Sequence, residues 1–152
     1  MSLHDKFQVV DVPTHSKAKK LLAFWNERVA NGIVIGRDVP SRPIADLLSN
    51  ISIDEPIDGG SDYRVRLAGS SISLRFGRNT TGMRLSEMFP PEEFQAHLAT
   101  FRATIEFGKP IILSASLVDD AVEWLHLEVV HLPVFAPDRV TKWVLVGIFY
   151  FN

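Results

Sequence analysis

Chemistry in this chain rests on few side chains. It has five histidines, His4, His15, His97, His126 and His131, and no cysteine. Thiolate nucleophiles, disulfides, thiolate-held metals and cysteinyl cofactor adducts are therefore excluded. Only His126 and His131 share an element, and their spacing of five puts them on opposite faces of a regular strand, which cannot offer both to one metal. No metal site is expected. One acid/base constellation stands out. In Trp124-Leu125-His126-Leu127-Glu128-Val129, strand alternation places Trp124, His126 and Glu128 on one face and Leu125, Leu127 and Val129 on the other. His126 and Glu128 are of the right types to exchange a proton or orient a ligand, and a satisfied same-face polar pair is the plainer account. No GxSxG elbow, P-loop, dinucleotide fingerprint or HExxH accompanies them. No catalytic residue is assigned, and the chain is not expected to be an enzyme.

The 152 residues correspond to one domain, residues 1–152, and 46% hydrophobic residues are enough to build a core. Sixteen basic against eighteen acidic residues give a net charge of -2, which leaves no basic excess for phosphates and argues against a nucleic-acid partner. The longest strongly apolar stretch, Trp143 to Phe151, is far short of the roughly 20 residues of a membrane helix, and the N-terminus lacks signal-peptide character. A cytoplasmic location away from membranes is the expectation, and the first three residues have the look of a cloning remnant.

Thr14 is placed to cap a helix over 14–31, ended by Asn31-Gly32, with Ala18, Leu21, Leu22, Trp25 and Val29 along one stripe. A long connector follows, with a helical turn or two at Ile44 to Leu48. Residues Ile51 to Asp54 and Tyr63 to Ala68 read as a hairpin around Pro56-Ile57-Asp58-Gly59-Gly60, its second strand at an edge. From Ser70 to Pro90, short helical runs are interrupted by Gly77, Gly82 and Pro90. Pro91 to Phe107 reads as one helix with Phe94, Leu98, Phe101 and Ile105 in a stripe and Gly108 at its end. Three strands are then expected, about Ile111 to Val118, Glu123 to Leu132 and Thr141 to Phe151, joined by turns at Asp119-Asp120 and Ala136-Pro137-Asp138. The last carries apolar residues on both faces, which suits a central strand covered on both sides.

This order of elements resembles the PAS fold. The chain looks like the bacterial PAS-like family in which a leading helix with a tryptophan precedes the sensor core. The matching features are Trp25, Gly36-Arg37, Pro40-Ser41-Arg42, Tyr63-Arg64-Val65-Arg66-Leu67-Ala68-Gly69, Phe76-Gly77-Arg78, Thr81-Gly82 and Leu132-Pro133. The resemblance implies an α+β fold, a five-stranded antiparallel sheet with helices on one face plus the extra N-terminal helix, with the PAS core at about 50–151. It also implies a sensory or regulatory role in signal transduction. Gly69, Gly77 and Gly82 fall where the backbone turns or approaches closely, and Arg37 and Arg42 are read as pins for their loop.

A ligand pocket is expected between the helical region and the sheet, walled by Phe76, Met83, Leu85, Met88, Phe89, Phe94, Leu98 and Phe101, with His126 and Glu128 as its polar groups. The cofactor is unknown. Some haem-binding PAS proteins place an axial histidine on the long helix, where His97 lies, but haem is not favoured here. Gly77-Arg78-Asn79-Thr80 is similar to the start of a flavin photoreceptor motif whose adduct needs the cysteine this chain lacks. The expected partners are a small molecule, a separate effector protein and a second copy of the chain. The homodimer would form through Leu21, Leu22, Trp25 and Val29, because that stripe must be buried somewhere. Two alternatives stand beside the sensor: an interaction module without a ligand, and a small-molecule enzyme using His126 and Glu128.

Overall fold

In a computed structural model, which describes residues 4–119 and 122–151, the chain forms one antiparallel sheet covered on both faces. The elements run β1 (His4–Val10), α1 (Ser16–Arg28), a 3-10 segment (Arg42–Asn50), β2 (Ile51–Ile57), β3 (Asp62–Ala68), α2 (Ser70–Phe76), α3 (Leu85–Met88), α4 (Pro91–Phe107), β4 (Ile111–Asp119), β5 (Val122–Phe135) and β6 (Lys142–Tyr150). The strand order is β1-β4-β5-β6-β2-β3, so β6 is central and β3 lies at an edge, as the sequence patterns require. The sheet has six strands rather than five. The additional one, β1, pairs with β4 along its whole length from His4 opposite Val118 to Val10 opposite Ile112. The expected turn at Asp119-Asp120 runs into 120–121, and the supposed remnant at 1–3 also lies outside the described residues. No helix among the described residues is long and apolar enough to cross a membrane.

Period-2 alternation along the strands sends alternate side chains to two separate cores. On one face Ala18, Leu21, Phe24 and Trp25 of α1, with Ile44 and Leu47 of the 3-10 segment, pack on Ile53, Val130, Leu132, Leu145 and Phe149. On the other, Leu98 and Phe101 of α4 and Leu85 of α3 pack on Tyr63, Leu127, Val129, Val144 and Val146. The helices thus divide between the two sheet faces, with α1 alone opposite α2–α4. Leu21 and Trp25 are buried and Leu22 is partly buried within the chain, while Val29 is 48% exposed. The burial that led to a homodimer is met within the chain for Leu21 and Trp25, while Leu22 in part and Val29 keep exposed surface. The Trp25 indole N–H also donates to the Pro133 carbonyl at 2.9 Å, so two of the family-like features are partners in space.

Local chemistry sets the element ends. Helix α4 begins at Pro91, whose missing N–H costs nothing in the first turn, gains Glu92 and Glu93 at its positive end, and stops at Gly108 in the left-handed region (φ 62). The N-cap of α1 is His15 rather than Thr14: the His15 ring accepts from the Lys17 N–H, and the helix stops at Arg28, before Asn31-Gly32. Gly69 joins β3 to α2 against the 3-10 segment. A Cβ there would lie 2.3 Å from the Leu48 carbonyl oxygen, so no side chain fits. The outer edge of β3 is closed by the loop that follows α2: Val65 N–H donates to Met83 O, and Gly82 N–H to Val65 O.

Candidate functional site

Between the sheet and α2–α4 lies a cavity of about 70 Å³. Its walls are apolar and aromatic: Phe76, Leu85, Met88, Phe89 and Phe101 from the helical side, and Val65, Leu127, Val129, Val146 and Ile148 from the sheet. The rings interlock, Phe76 edge-on to Phe89 at 5.6 Å, Phe89 against His97 at 4.1 Å, and Phe101 edge-on to His131 at 5.5 Å. Five of the eight wall residues expected from sequence therefore meet at the cavity. Phe94 and Leu98 belong to the same core without lining it, and Met83 contributes its backbone to the β3 edge.

The polar groups at the cavity are not the expected ones. Ser52 and Asp54 of β2, His131 of β5, Arg75 of α2 and His97 of α4 line it. The register explains the placement: Ser52 and His131 both pair with Val146 of β6, so they flank it in one row across the sheet floor. Asp54 is 2% exposed and accepts a single hydrogen bond, from the Ser52 hydroxyl at 3.0 Å. Burial with so little compensation pushes its carboxyl up to about 7, against the Ser52 bond that acts to lower it. Burial drives His131 the other way, down to about 4, so the imidazole is neutral. Its Nδ1 lies 3.1 Å from the Ile111 carbonyl oxygen, which only accepts. The proton therefore sits on Nδ1, and Nε2 is an acceptor.

His126 and Glu128 lie on the opposite face, because strand parity that sends Leu127 and Val129 to the α4 core sends them toward α1. Glu128 is as buried as Asp54 but fully engaged. Its carboxylate accepts from the Thr14 N–H at 2.8 and 3.0 Å, the Thr14 hydroxyl at 3.0 Å and the His15 N–H at 2.7 Å. It ties the start of α1 to the sheet across more than a hundred residues of chain. His126 lies 3.2 Å from the Ser116 hydroxyl and stacks on Phe151 at 4.7 Å. Neither lines the cavity, and each has other partners, Glu128 at the start of α1 and His126 at Ser116 and Phe151. The Trp124 side chain lies outside the described residues. Arg37 does pin its loop, donating to the Gly32 carbonyl and to Asp38, which in turn accepts from the Val34 N–H.

Size restricts what the cavity takes. At about 70 Å³ it is roughly half the apolar cavity of about 150 Å³ that admits benzene, and well below the roughly 300 Å³ at which drug-sized pockets begin. A haem macrocycle is far larger, and His97 is flanked by Phe7 at 5.3 Å and Phe89, so these residues do not fit haem. No group of three or more metal-ligating side chains converges among the described residues. As it stands, the cavity is matched to a molecule of a few heavy atoms.

A family model described as PAS domain matches residues 13–150. No curated protein and no solved structure matches the chain.

Proposed function

The chain belongs to the PAS domain family, and from that premise we propose that it is a sensory module in signal transduction whose ligand occupies the cavity between the sheet and α2–α4. PAS domains are sensory or interaction modules in general; the ligand and its site are specific to this reading. The observation that carries it is Asp54. A buried carboxyl with one hydrogen bond is an expensive arrangement, since an unmet polar group costs about 1–3 kcal/mol, and it lies on the wall of a space that a partner can enter. Ligand entry would alter the packing of Phe76, Met88 and Phe89 on α2–α4, and a separate effector protein would read that change at the surface.

Thermal denaturation in the presence of a library of small metabolites tests this. A ligand at ten times its Kd stabilises by about 1.4 kcal/mol, a rise in Tm of about 3–6 °C for a chain of this size. The rise should vanish in Val146→Ile, which puts one more methyl group into the cavity. A rise that persists unchanged in that variant would place the ligand elsewhere.

A second reading, an interaction module without a ligand, is favoured by one feature. Strand β1 ends the sheet, and Phe7 and Val9 are exposed on it. Such an edge offers unpaired backbone groups to a partner strand. The enzyme alternative loses its mechanism, because Glu128 is engaged by Thr14 and His15.

A further inference from the structure

The polar inventory of the cavity specifies the kind of head group it can satisfy. Ser52 directs its hydroxyl proton to Asp54, and Asp54 has one oxygen with no protein donor among the described residues. His131 holds its proton toward Ile111 and offers Nε2. With Asp54 ionised, above about pH 7, the sheet floor of the cavity presents acceptors, and a ligand there must donate. A hydroxyl brings one proton; an ammonium brings three and a positive charge. Around these acceptors stand the rings of Phe76, Phe89 and Phe101, whose faces attract cations.

Two groups of positive or potentially positive charge also line the cavity, Arg75 and His97, and their positions decide whether a cation is tolerated. Arg75 acts electrostatically on Tyr150, which lies outside the lining, and is not among the groups acting on Asp54. His97 of α4 acts electrostatically on His131 and sits between the rings of Phe7 and Phe89. Among the described residues, Asp54 is hydrogen-bonded to Ser52 and ion-paired to no cationic side chain.

Resting on the reading of this cavity as the ligand site, we propose that it takes a small primary alkylammonium ion, with the ammonium on the ionised Asp54 carboxylate and the alkyl group among the phenylalanines. The volume allows about three heavy atoms, half of what fills a benzene-sized cavity. A ligand so small is bounded near millimolar affinity by the free energy each heavy atom can supply, which sets the concentrations to be used.

The test is an NMR titration of the full chain, above pH 7 where Asp54 is ionised and at constant ionic strength, with methylammonium and ethylammonium chloride, against methanol and ethanol as neutral isosteres and sodium chloride as the salt control. Ethylammonium should give saturable shifts at the amides of Ser52, Asp54 and His131, with a Kd at least about tenfold below that of ethanol. Asp54→Asn should bring ethylammonium to the level of ethanol. If ethanol binds as tightly as ethylammonium, or Asp54→Asn leaves the ammonium affinity unchanged in a folded variant, the ammonium assignment is overturned while the ligand cavity stands. If Asp54→Asn does not fold, the wild-type ratio of the two affinities decides. If neither compound shifts the cavity residues, the ammonium assignment is wrong, and the metabolite screen with Val146→Ile decides the ligand cavity.

Discussion

Two buried carboxyl groups, each 2% exposed, occupy opposite faces of the same sheet, and their surroundings could hardly differ more. Glu128, on the α1 face, accepts from three donor groups and holds the first residues of α1 in place. Asp54, on the α4 face, accepts one bond and borders empty space. Equal burial with unequal satisfaction separates architecture from function. Where a buried polar group is well matched, as Trp25 is by Pro133 and Glu128 by Thr14 and His15, it serves to hold the face as it is. Where a polar group is left short beside a cavity, water or a ligand supplies the remaining partner.

Truncation on the architectural face should cost most. Trp25→Ala removes a buried indole and its bond to Pro133, and should destabilise by about 3–5 kcal/mol, measured by urea denaturation. A cost below that of Met88→Ala at the cavity wall would undo the contrast between the faces.

The pH dependence of stability comes next, and its sign differs for the two titrating groups of the cavity. Asp54 has its folded pKa raised from 3.8 to about 7, so the native state holds a proton that the unfolded chain has released. Its contribution is full below pH 3.8 and is lost as pH rises through 7. His131 has its folded pKa lowered from 6.5 to about 4, so its contribution is present above 6.5 and is lost as pH falls through 4. They are roughly 4 kcal/mol for Asp54 and roughly 3 kcal/mol for His131, and between pH 4 and 6.5 they oppose each other. Wild-type stability should therefore change little over that window. Asp54→Asn should reveal stability rising with pH, and His131→Gln stability falling with pH; a common slope in all three proteins would show that the groups titrate normally.

Glu128→Gln should cost about 2–3 kcal/mol by weakening the charge-assisted bonds to Thr14 and His15, which are partly reached by water. It should leave cavity binding unaffected. The smallest effect is that of Val146→Ile, within about 1 kcal/mol of wild type because the cavity can take the extra methyl group.

Much of this framework is legible in local patterns. Pro91 and Gly108 mark both ends of α4, and the hairpin is announced by Pro56 to Gly60, although its first strand runs on through Pro56 to Ile57. Strand β1 escapes such a reading because His4–Val10 carries a mixed pattern that becomes a strand only beside β4, a partner about a hundred residues away. The cavity's apolar wall is visible as clustered phenylalanine and methionine, but its polar floor is not. Ile51-Ser52-Ile53-Asp54 alternates like a strand with one face in water, so Ser52 and Asp54 look solvated. The signal that places them inside is indirect: β2 pairs with β6, whose two apolar faces already require cover on both sides, and whatever covers β6 also reaches Ser52 and Asp54. His131 was equally hidden, since its spacing from His126 excludes a shared metal without saying which of the two faces the cavity. Parity separates the two correctly, but which face the helices enclose depends on how the whole sheet is packed.

The most direct test is a crystal structure of the natively purified protein at a resolution that shows ordered solvent, read at the Asp54 carboxyl. The account predicts a non-protein group within hydrogen-bonding distance of the second Asp54 oxygen, seated among Phe76, Phe89 and Phe101, while Glu128 keeps its bonds to Thr14 and His15. A cavity closed by those phenylalanines, with Asp54 fully bonded by protein groups, would contradict it.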